Sequence, residues 1–485
     1  MQVKKRKLKE KSKSVAYLQK KLYLCRLNMS ICVDTYYFLG IGGIGMSALA
    51  RYFAAKGFRV LGYDRTSSPL TQQLEAEGIL VQYDENLEWV KGLNKATTIV
   101  VRTPAVPADM AVYVWLREQG FEILKRAEVL GIVTRSACAL CVAGTHGKTT
   151  TSTILAHILH QSHVGANAFL GGIANNYNTN LLLDKSRNVV VEADEFDRSF
   201  HHLTPHISVI TSMDPDHLDI YGTEEAYRES FEKYAELVEN ALVVKRGLAL
   251  DLGRLQAKVY TYAVGDKADF FADNVRVKNG EIWFDFHTPE RVVTDVQLGV
   301  PVWVNVENGI AAMAVAWLMG VNDEELRNGM STFSGVYRRF NIHVNTSQVA
   351  YVDDYAHHPI ELKACIESVR RLYPERHVIG VFQPHLFSRT QDFADEFASV
   401  LSSLDEVALL PIYPAREKPI EGVTSEWLMG KVQTKRALVL PGILAKYLRE
   451  RVKNCVTHGK DCVVITMGAG DIDRQVKHIA KALQI

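Results

Sequence analysis

The run Gly144-Thr145-His146-Gly147-Lys148-Thr149-Thr150-Thr151 carries the most legible chemistry in the chain. It follows the apolar stretch Cys138 to Ala143, which reads as a buried strand, and precedes a helical pattern from about Ser152 to Gln161. A loop in that position turns backbone N–H groups and a helix N-terminus toward an anion. Lys148 adds a cation, and Thr149 adds a hydroxyl of the kind that holds Mg2+ beside a nucleotide's phosphates. The run departs from the G-x-x-x-x-G-K-[ST] pattern at its first position, where Val142 stands. A chance Gly-Lys-Thr turn is the plainer alternative.

A second glycine pattern lies upstream. Gly40, Gly42 and Gly45 fit G-x-G-x-x-G between the strand-like Tyr36 to Leu39 and a helical run from Met46 to Lys56. Asp64 closes the next strand-like segment, about twenty residues on, as in dinucleotide-binding folds. Such a turn receives a diphosphate, and it does not distinguish NAD from a UDP-sugar.

Two acidic clusters follow apolar strands. Glu192, Asp194 and Glu195 end the stretch beginning at Asn188, and Asp214, Asp216, His217 and Asp219 follow Ile207 to Thr211. Open α/β sheets place ligands at strand carboxyl ends, and Mg2+ takes oxygen ligands. Beside the phosphate loop these carboxylates read as metal ligands, with His217 as a second-metal ligand or a structural cap. Further on, Asp353-Asp354-Tyr355-Ala356-His357-His358-Pro359 joins a strand to a helix, and Gln383 to Thr390, containing His385 and Arg389, follows the strand His377 to Phe382. Histidines and an arginine at neighbouring strand ends suit phosphate or carboxylate; satisfied structural histidines are the alternative.

These residues need elements to hold them. Strand-like and helical segments alternate along the chain, which predicts an α/β protein with mostly parallel sheets flanked by helices. Three blocks emerge: a Rossmann-like block over 34–136, a central P-loop block over 137–334 and a second Rossmann-like block over 335–485. Residues 1–33 read as a basic, disordered extension, with ten Lys and Arg against Glu10. A nucleic-acid- or lipid-binding arm is the other reading of that segment, and Met29 is an alternative start. Nothing in the main body resembles a nucleic-acid surface. At 47% hydrophobic residues the chain has ordinary cores. It contains no apolar run long enough to span a bilayer, and its N-terminus lacks the pattern of a secretory signal. Seven scattered cysteines point to a reducing, cytoplasmic setting. Cys138 and Cys141 read as core thiols, because no second pair accompanies them.

Taken in order from about Tyr36 to Asp471, Gly40-Ile41-Gly42-Gly43-Ile44-Gly45-Met46-Ser47-Ala48-Leu49-Ala50, Gly144 to Thr151, Glu192-Ala193-Asp194-Glu195, Asp216-His217, Asp353-Asp354-Tyr355 and His357-His358-Pro359 resemble the motifs of the Mur ligase family. The resemblance implies three domains that bind a UDP-sugar, ATP and an amino acid. It implies a reaction in peptidoglycan precursor synthesis: ATP phosphorylates the carboxylate of UDP-N-acetylmuramic acid, and the amine of L-alanine displaces phosphate from the acyl phosphate. By that resemblance Gly40, Gly42, Gly43, Gly45, Met46, Ser47 and Asp64 lie at the UDP-sugar. Gly144, Thr145, His146, Gly147, Lys148, Thr149 and Thr150 hold ATP, joined by Asn305, Asn308, Arg338 and Asp353. Thr149, Glu192 and His217 hold Mg2+, with Mn2+ as a substitute. Tyr355, His358 and Arg389 face the alanine, and Lys148, Glu192, His217, His358 and Arg389 carry the catalysis. The partners implied are UDP-N-acetylmuramate, L-alanine and ATP, with no nucleic acid and no membrane insertion, in a monomer or homodimer.

Two positions depart from the family pattern: Leu386 stands where many relatives carry Arg, and Val304 where relatives often have His. A Mur-type ligase that adds a whole tripeptide in cell-wall recycling would share the nucleotide residues. An NAD-dependent dehydrogenase built on Gly40 to Gly45 and Asp64 leaves Gly144 to Thr151 unexplained. A P-loop switch leaves the first and third blocks without a role.

Overall fold

The computed structural model describes residues 33–278, 281–415 and 417–484. The basic segment and the alternative start at Met29 lie outside the described residues, except that Val33 is fully buried in the core.

The first sheet contains β1 (Thr35–Leu39), β2 (Arg59–Tyr63), β3 (Leu80–Gln82), β4 (Thr98–Arg102) and β5 (Glu122–Lys125), in the order β3-β2-β1-β4-β5. Its neighbouring strands are all parallel. All five residues of β1 are buried, as expected of a central strand covered on both faces. Tyr36 stacks on Phe53 of the helix Ile44–Ala55 at 3.9 Å and meets Phe58 edge-on at 5.2 Å. The chain places β2 and β3 on one side of β1 and β4 and β5 on the other. The turn after β1 therefore opens at the switch point where such sheets bind ligands.

The second sheet holds β6 (Cys138–Ala143), β7 (Asn167–Ala174), β8 (Thr179–Leu182), β9 (Asn188–Ala193), β10 (Ile207–Ile210), β11 (Ala241–Lys245), β12 (Lys258–Val264), β13 (Phe270–Lys278), β14 (Glu281–His287) and β15 (Val292–Leu298). Their order is β15-β14-β13-β12-β11-β10-β6-β9-β7-β8. The central β6 has β9 parallel on one side and β10 parallel on the other. The phosphate loop after β6 and the acidic clusters after β9 and β10 thus leave from adjacent carboxyl ends. Cys141 is buried and its thiol is pushed up to about 12 by burial, so it is a core thiol as the sequence suggested.

The third sheet holds β16 (Asn341–Asn345), β17 (Val349–Asp354), β18 (His377–Phe382), β19 (Glu406–Leu409), β20 (Lys435–Leu438) and β21 (Cys462–Met467), in the order β16-β17-β21-β18-β19-β20. β16 is antiparallel to β17, and the other pairs are parallel.

One helix runs Val304–Leu318, so Asn305 and Asn308, three positions apart near its start, share one face. After β18 two short helices follow, Phe387–Asp392 and Ala394–Leu401, parted at Phe393 where φ is −113°. The first sheet and most of the second belong to one compact unit, which takes in the chain to Val275, Phe284–Gln297 and Asn308–Phe333. The third sheet belongs to a second unit, with Arg276–Trp283 and Leu298–Glu307. Among the described residues no helix is long and apolar enough to cross a membrane.

Candidate active site

The phosphate loop is shaped by its glycines. Gly144 has φ +134° and Gly147 φ +81°, the left-handed region that side chains resist. A Cβ on Gly144 would also overlap the Thr211 hydroxyl, and one on Gly147 would meet Asn308 Oδ1 at 2.7 Å. The helix Lys148–Gln161 starts directly after Gly147, four residues earlier than the sequence pattern indicates. Lys148 and Thr149 therefore occupy its first turn, where free N–H groups attract anions. Lys148 Nζ donates to Gly144 O at 2.6 Å and to Thr145 O at 3.1 Å, and pairs with Glu195 at 2.7 Å. Burial alone would lower the Lys148 ammonium, but Glu195, Glu192 and Asp194 outweigh it and raise it. Burial pushes the Glu195 carboxyl up to about 7, with Lys148 pulling the other way. Thr145 donates to Asp214 O at 2.7 Å, and His146 N donates to Ser212 Oγ at 2.8 Å. The loop is thereby fixed to the segment after β10. Asn308 Oδ1 accepts from the Thr151 hydroxyl at 3.2 Å, so Asn308 braces this loop.

Glu192 and His217 flank the loop in the same unit. The Glu192 carboxylate occupies the space that a Cβ on Gly171 would fill. His217 holds φ +55°, and its Nε2 lies 3.7 Å from Asp216 and 4.0 Å from Glu195. Asp194 pairs with Arg126 at 3.0 Å and accepts from Phe196 N at 3.1 Å.

The glycine turn after β1 is tied to β2 by Gly40 N and Ile41 N, which donate to Tyr63 O at 2.8 and 2.9 Å. Gly42 N donates to Asp64 Oδ2 at 2.7 Å, so Asp64 secures the turn itself. Met46 and Ser47, expected at the UDP-sugar, are buried. The Ser47 hydroxyl donates to Ile44 O and accepts from Asn180 Nδ2 at 2.9 Å. The turn therefore presents Gly40, Gly42, Gly43 and Gly45, while these two side chains anchor the helix behind it.

In the second unit, Arg338 and Asp353 engage each other. Arg338 Nε donates to Asp353 Oδ2 at 3.1 Å, its Nη2 donates to Gly468 O at 2.8 Å, and Thr466 donates to Asp353 Oδ1 at 2.8 Å. Asp353 is fully buried; its carboxylate shapes this strand end. Tyr355 N donates to Arg338 O at 2.7 Å, and the Arg339 guanidinium lies 5.0 Å over the Tyr355 ring. His358 is buried at the start of the helix Pro359–Leu372, its ring edge-on to Phe393 at 4.7 Å. Arg389 is buried in the helix Phe387–Asp392. Burial holds the neighbouring His357 imidazole down at about 4, against the pull of Glu361. Burial likewise pushes Asp354 up to about 6, although Phe340 N and Ala356 N both donate to it. Asn305 is buried in the same unit.

Three family models match the chain in order: Mur ligase family, catalytic domain, over residues 35–137; Mur ligase middle domain over 142–316; and Mur ligase, glutamate ligase domain, over 338–470. The chain is 54% identical over 459 residues to the UDP-N-acetylmuramate--L-alanine ligase of Parabacteroides distasonis, covering 93% of this chain and 97% of that one. The chain belongs to the Mur ligase family. Another relative, the UDP-N-acetylmuramate--L-alanine ligase of Phocaeicola vulgatus, is 53% identical over 92% of this chain and 97% of its own. Among solved structures, the UDP-N-acetylmuramate-alanine ligase of Thermotoga maritima superposes with a TM-score of 0.76 at 25% identity, covering 93% of this chain and 99% of that one. A murein peptide ligase of Psychrobacter arcticus shares the fold, with a TM-score of 0.66 at 21% identity over 93% of this chain and 99% of its own. Three α/β domains are thus common to this Mur ligase and its structural neighbours.

Two residues of this Mur ligase escaped the sequence reading. Gly171 makes room for Glu192 from β7, a strand with no motif of its own. Arg126, at the start of the helix Arg126–Arg135, reaches Asp194 from 68 positions away. Its only sequence signal is a Lys-Arg-Ala-Glu stretch that reads as an ordinary helix start with Glu128 in the first turn.

Proposed function

We propose that this Mur ligase joins L-alanine to the carboxylate of UDP-N-acetylmuramic acid at the expense of ATP, releasing ADP and phosphate. The observation that carries the reading is the placement, within one compact unit, of a diphosphate-type glycine turn, a phosphate loop and the carboxylate Glu192. A dehydrogenase needs only the first of these and a nucleotide switch only the second. The names of the relatives at 54% and 53% identity support the same reaction. The Psychrobacter arcticus likeness, at 21% identity, bears on the fold alone and not on a tripeptide acceptor.

In this reading the N–H groups of Gly144 to Thr149 cradle the β- and γ-phosphates, and Lys148 exchanges its loop carbonyl partners for phosphate oxygens. Thr149 and Glu192 supply hard oxygen donors that fit Mg2+, and the missing side chain at Gly171 gives the Glu192 carboxylate its place. By the family resemblance His217 adds a nitrogen donor to a second divalent ion, for which Mn2+ can substitute. When bound, the divalent ions offset repulsion between the acceptor carboxylate and the γ-phosphate. By the family resemblance Asn305 is assigned to the adenine and Arg338 and Asp353 to the nucleotide; within their own unit Arg338 and Asp353 hold each other. Tyr355, His358 and Arg389 form the alanine site, with Arg389 pairing the amino acid's carboxylate. Domain limits near 136/137 and 334/335, a cytoplasmic setting and a monomer or homodimer complete the proposal.

The test is phosphate release by the purified protein with UDP-N-acetylmuramate, ATP, Mg2+ and, in turn, alanine, serine, glycine or the tripeptide. Alanine is expected to give the highest kcat/KM. No ADP with any acceptor, or a large preference for the tripeptide, would overturn the assignment.

A further inference from the structure

Between the glycine turn of the first sheet and the acidic strand end of the second lies a cleft of about 210 Å³. Gly45, Leu49, Arg126, Phe169, Gly171 and Glu192 contribute to its walls. That volume is too small for a whole nucleotide sugar, since sites for ligands of that size run from roughly 300 to 1,000 Å³. It suits the hexose end of one. Leu49 and Phe169 contribute apolar lining, and Glu192 and Asp194 contribute acidic lining. An acceptor carboxylate brought to Glu192 for phosphorylation would meet like charge there. Among the residues lining the cleft, Arg126 alone is cationic.

Arg126 is built into this place. Its Nη2 donates to Asp194 Oδ2 at 3.0 Å, and Asp194 is itself held by Phe196 N through Oδ1. The guanidinium lies over Gly45, where an added Cβ would meet Nη1 at 3.0 Å and Cδ at 3.1 Å. The third small position of the glycine turn is therefore the seat of an arginine as well as a ligand approach. Arg126 lines the cleft, and about a quarter of its side chain is exposed. A planar fork anchored at one nitrogen can present its other N–H groups to a carboxylate.

We propose that Arg126 is the residue by which this enzyme recognises the carboxylate of the sugar's lactyl group, with Asp194 as its positioning partner. The inference rests on the UDP-sugar reading of the first domain and adds to it the basis of choice between nucleotide sugars that do and do not carry an acid. The diphosphate goes to the N–H groups of the glycine turn. Arg126 then offsets the repulsion of Glu192 and Asp194 and leaves the carboxylate beside the phosphoryl donor.

The test is calorimetric binding of UDP-N-acetylmuramate and of UDP-N-acetylglucosamine, which lacks the lactyl acid, to the full chain and to Arg126→Met and Arg126→Lys. The unmodified protein is expected to favour the acidic sugar by about tenfold or more, the scale of one charge-assisted contact. Arg126→Met should bring the two sugars to within about twofold by weakening only the acidic one, and Arg126→Lys should retain part of the preference. Melting temperatures report whether each variant is folded. An equal loss for both sugars, or an undiminished preference in folded Arg126→Met, would overturn the inference. Failure of the unmodified protein to bind either sugar would bring down the underlying reading and this inference with it.

Discussion

At the scale of residues, the phosphate loop is held by contacts that a single atom can undo. Lys148 is buried but surrounded by loop carbonyls and Glu195, and it packs no apolar core. Lys148→Ala is expected to abolish ADP formation, by at least about a hundredfold, while far-UV circular dichroism still shows a folded chain, with a lower melting temperature because the buried Glu195 carboxyl loses its ammonium partner. Normal turnover by this variant would remove the loop from the mechanism. Gly171→Ala should act through Glu192, whose carboxylate a methyl group would displace; the apparent KM for Mg2+ should rise and kcat fall. An unchanged metal dependence would mean that Glu192 holds no ion. Arg389→Ala should chiefly raise the KM for alanine, and steady-state kinetics at saturating ATP and UDP-sugar would show it. Lys148 and Thr149 stand out in the sequence because the loop motif is local, and Glu192 because it ends an apolar strand. Gly171 and Arg126 do not, because each matters through one residue that only folding brings near.

At the scale of elements, the helix Lys148–Gln161 joins the loop to the core. Its His157 is buried, with Nδ1 2.7 Å from the Tyr177 hydroxyl and Nε2 2.9 Å from that of Thr332. Burial holds this imidazole down at about 4, with His160 adding to the effect. A histidine lowered in the folded state contributes stability that is present above its unfolded value, near 6.5, and is lost as pH falls through its folded value. Stability should therefore decline by about 1.4 kcal/mol per pH unit from this group between roughly pH 6.5 and 4. In urea titrations, His157→Gln should shrink that pH dependence. An identical slope in variant and parent would rule the group out. The apolar periodicity announced this helix but missed its first turn, because Lys148-Thr149-Thr150-Thr151 is a poor helix former in isolation. Gly147 in the left-handed region starts it there.

At the scale of the whole molecule, the first sheet and most of the second share a compact unit through buried polar contacts as well as apolar ones. Tyr52 of the first domain packs on Phe169 of the second at 5.1 Å between ring centroids. Asn180 is fully buried; it donates to Ile44 O at 2.6 Å and to Ser47 Oγ at 2.9 Å, and accepts from Arg51 Nη1 at 2.7 Å. Asn180→Ala would strand those groups, at a cost of roughly 1–3 kcal/mol for each left unsatisfied. Chemical denaturation should show the loss, and the KM for the UDP-sugar should rise because the glycine turn loses its brace. A stable variant with an unaltered KM would show that the brace is dispensable. The sequence by itself determined the α/β class, the sheet-and-turn grammar of three blocks and the loops that carry phosphate chemistry, since these depend on spacing within a dozen residues. Only the tertiary structure decided that Met46 and Ser47 face inward, that Arg338 and Asp353 satisfy each other, and that Arg126 meets Asp194. Burial and pairing over long separations are set by how sheets and helices pack, and local periodicity does not encode which distant partner arrives.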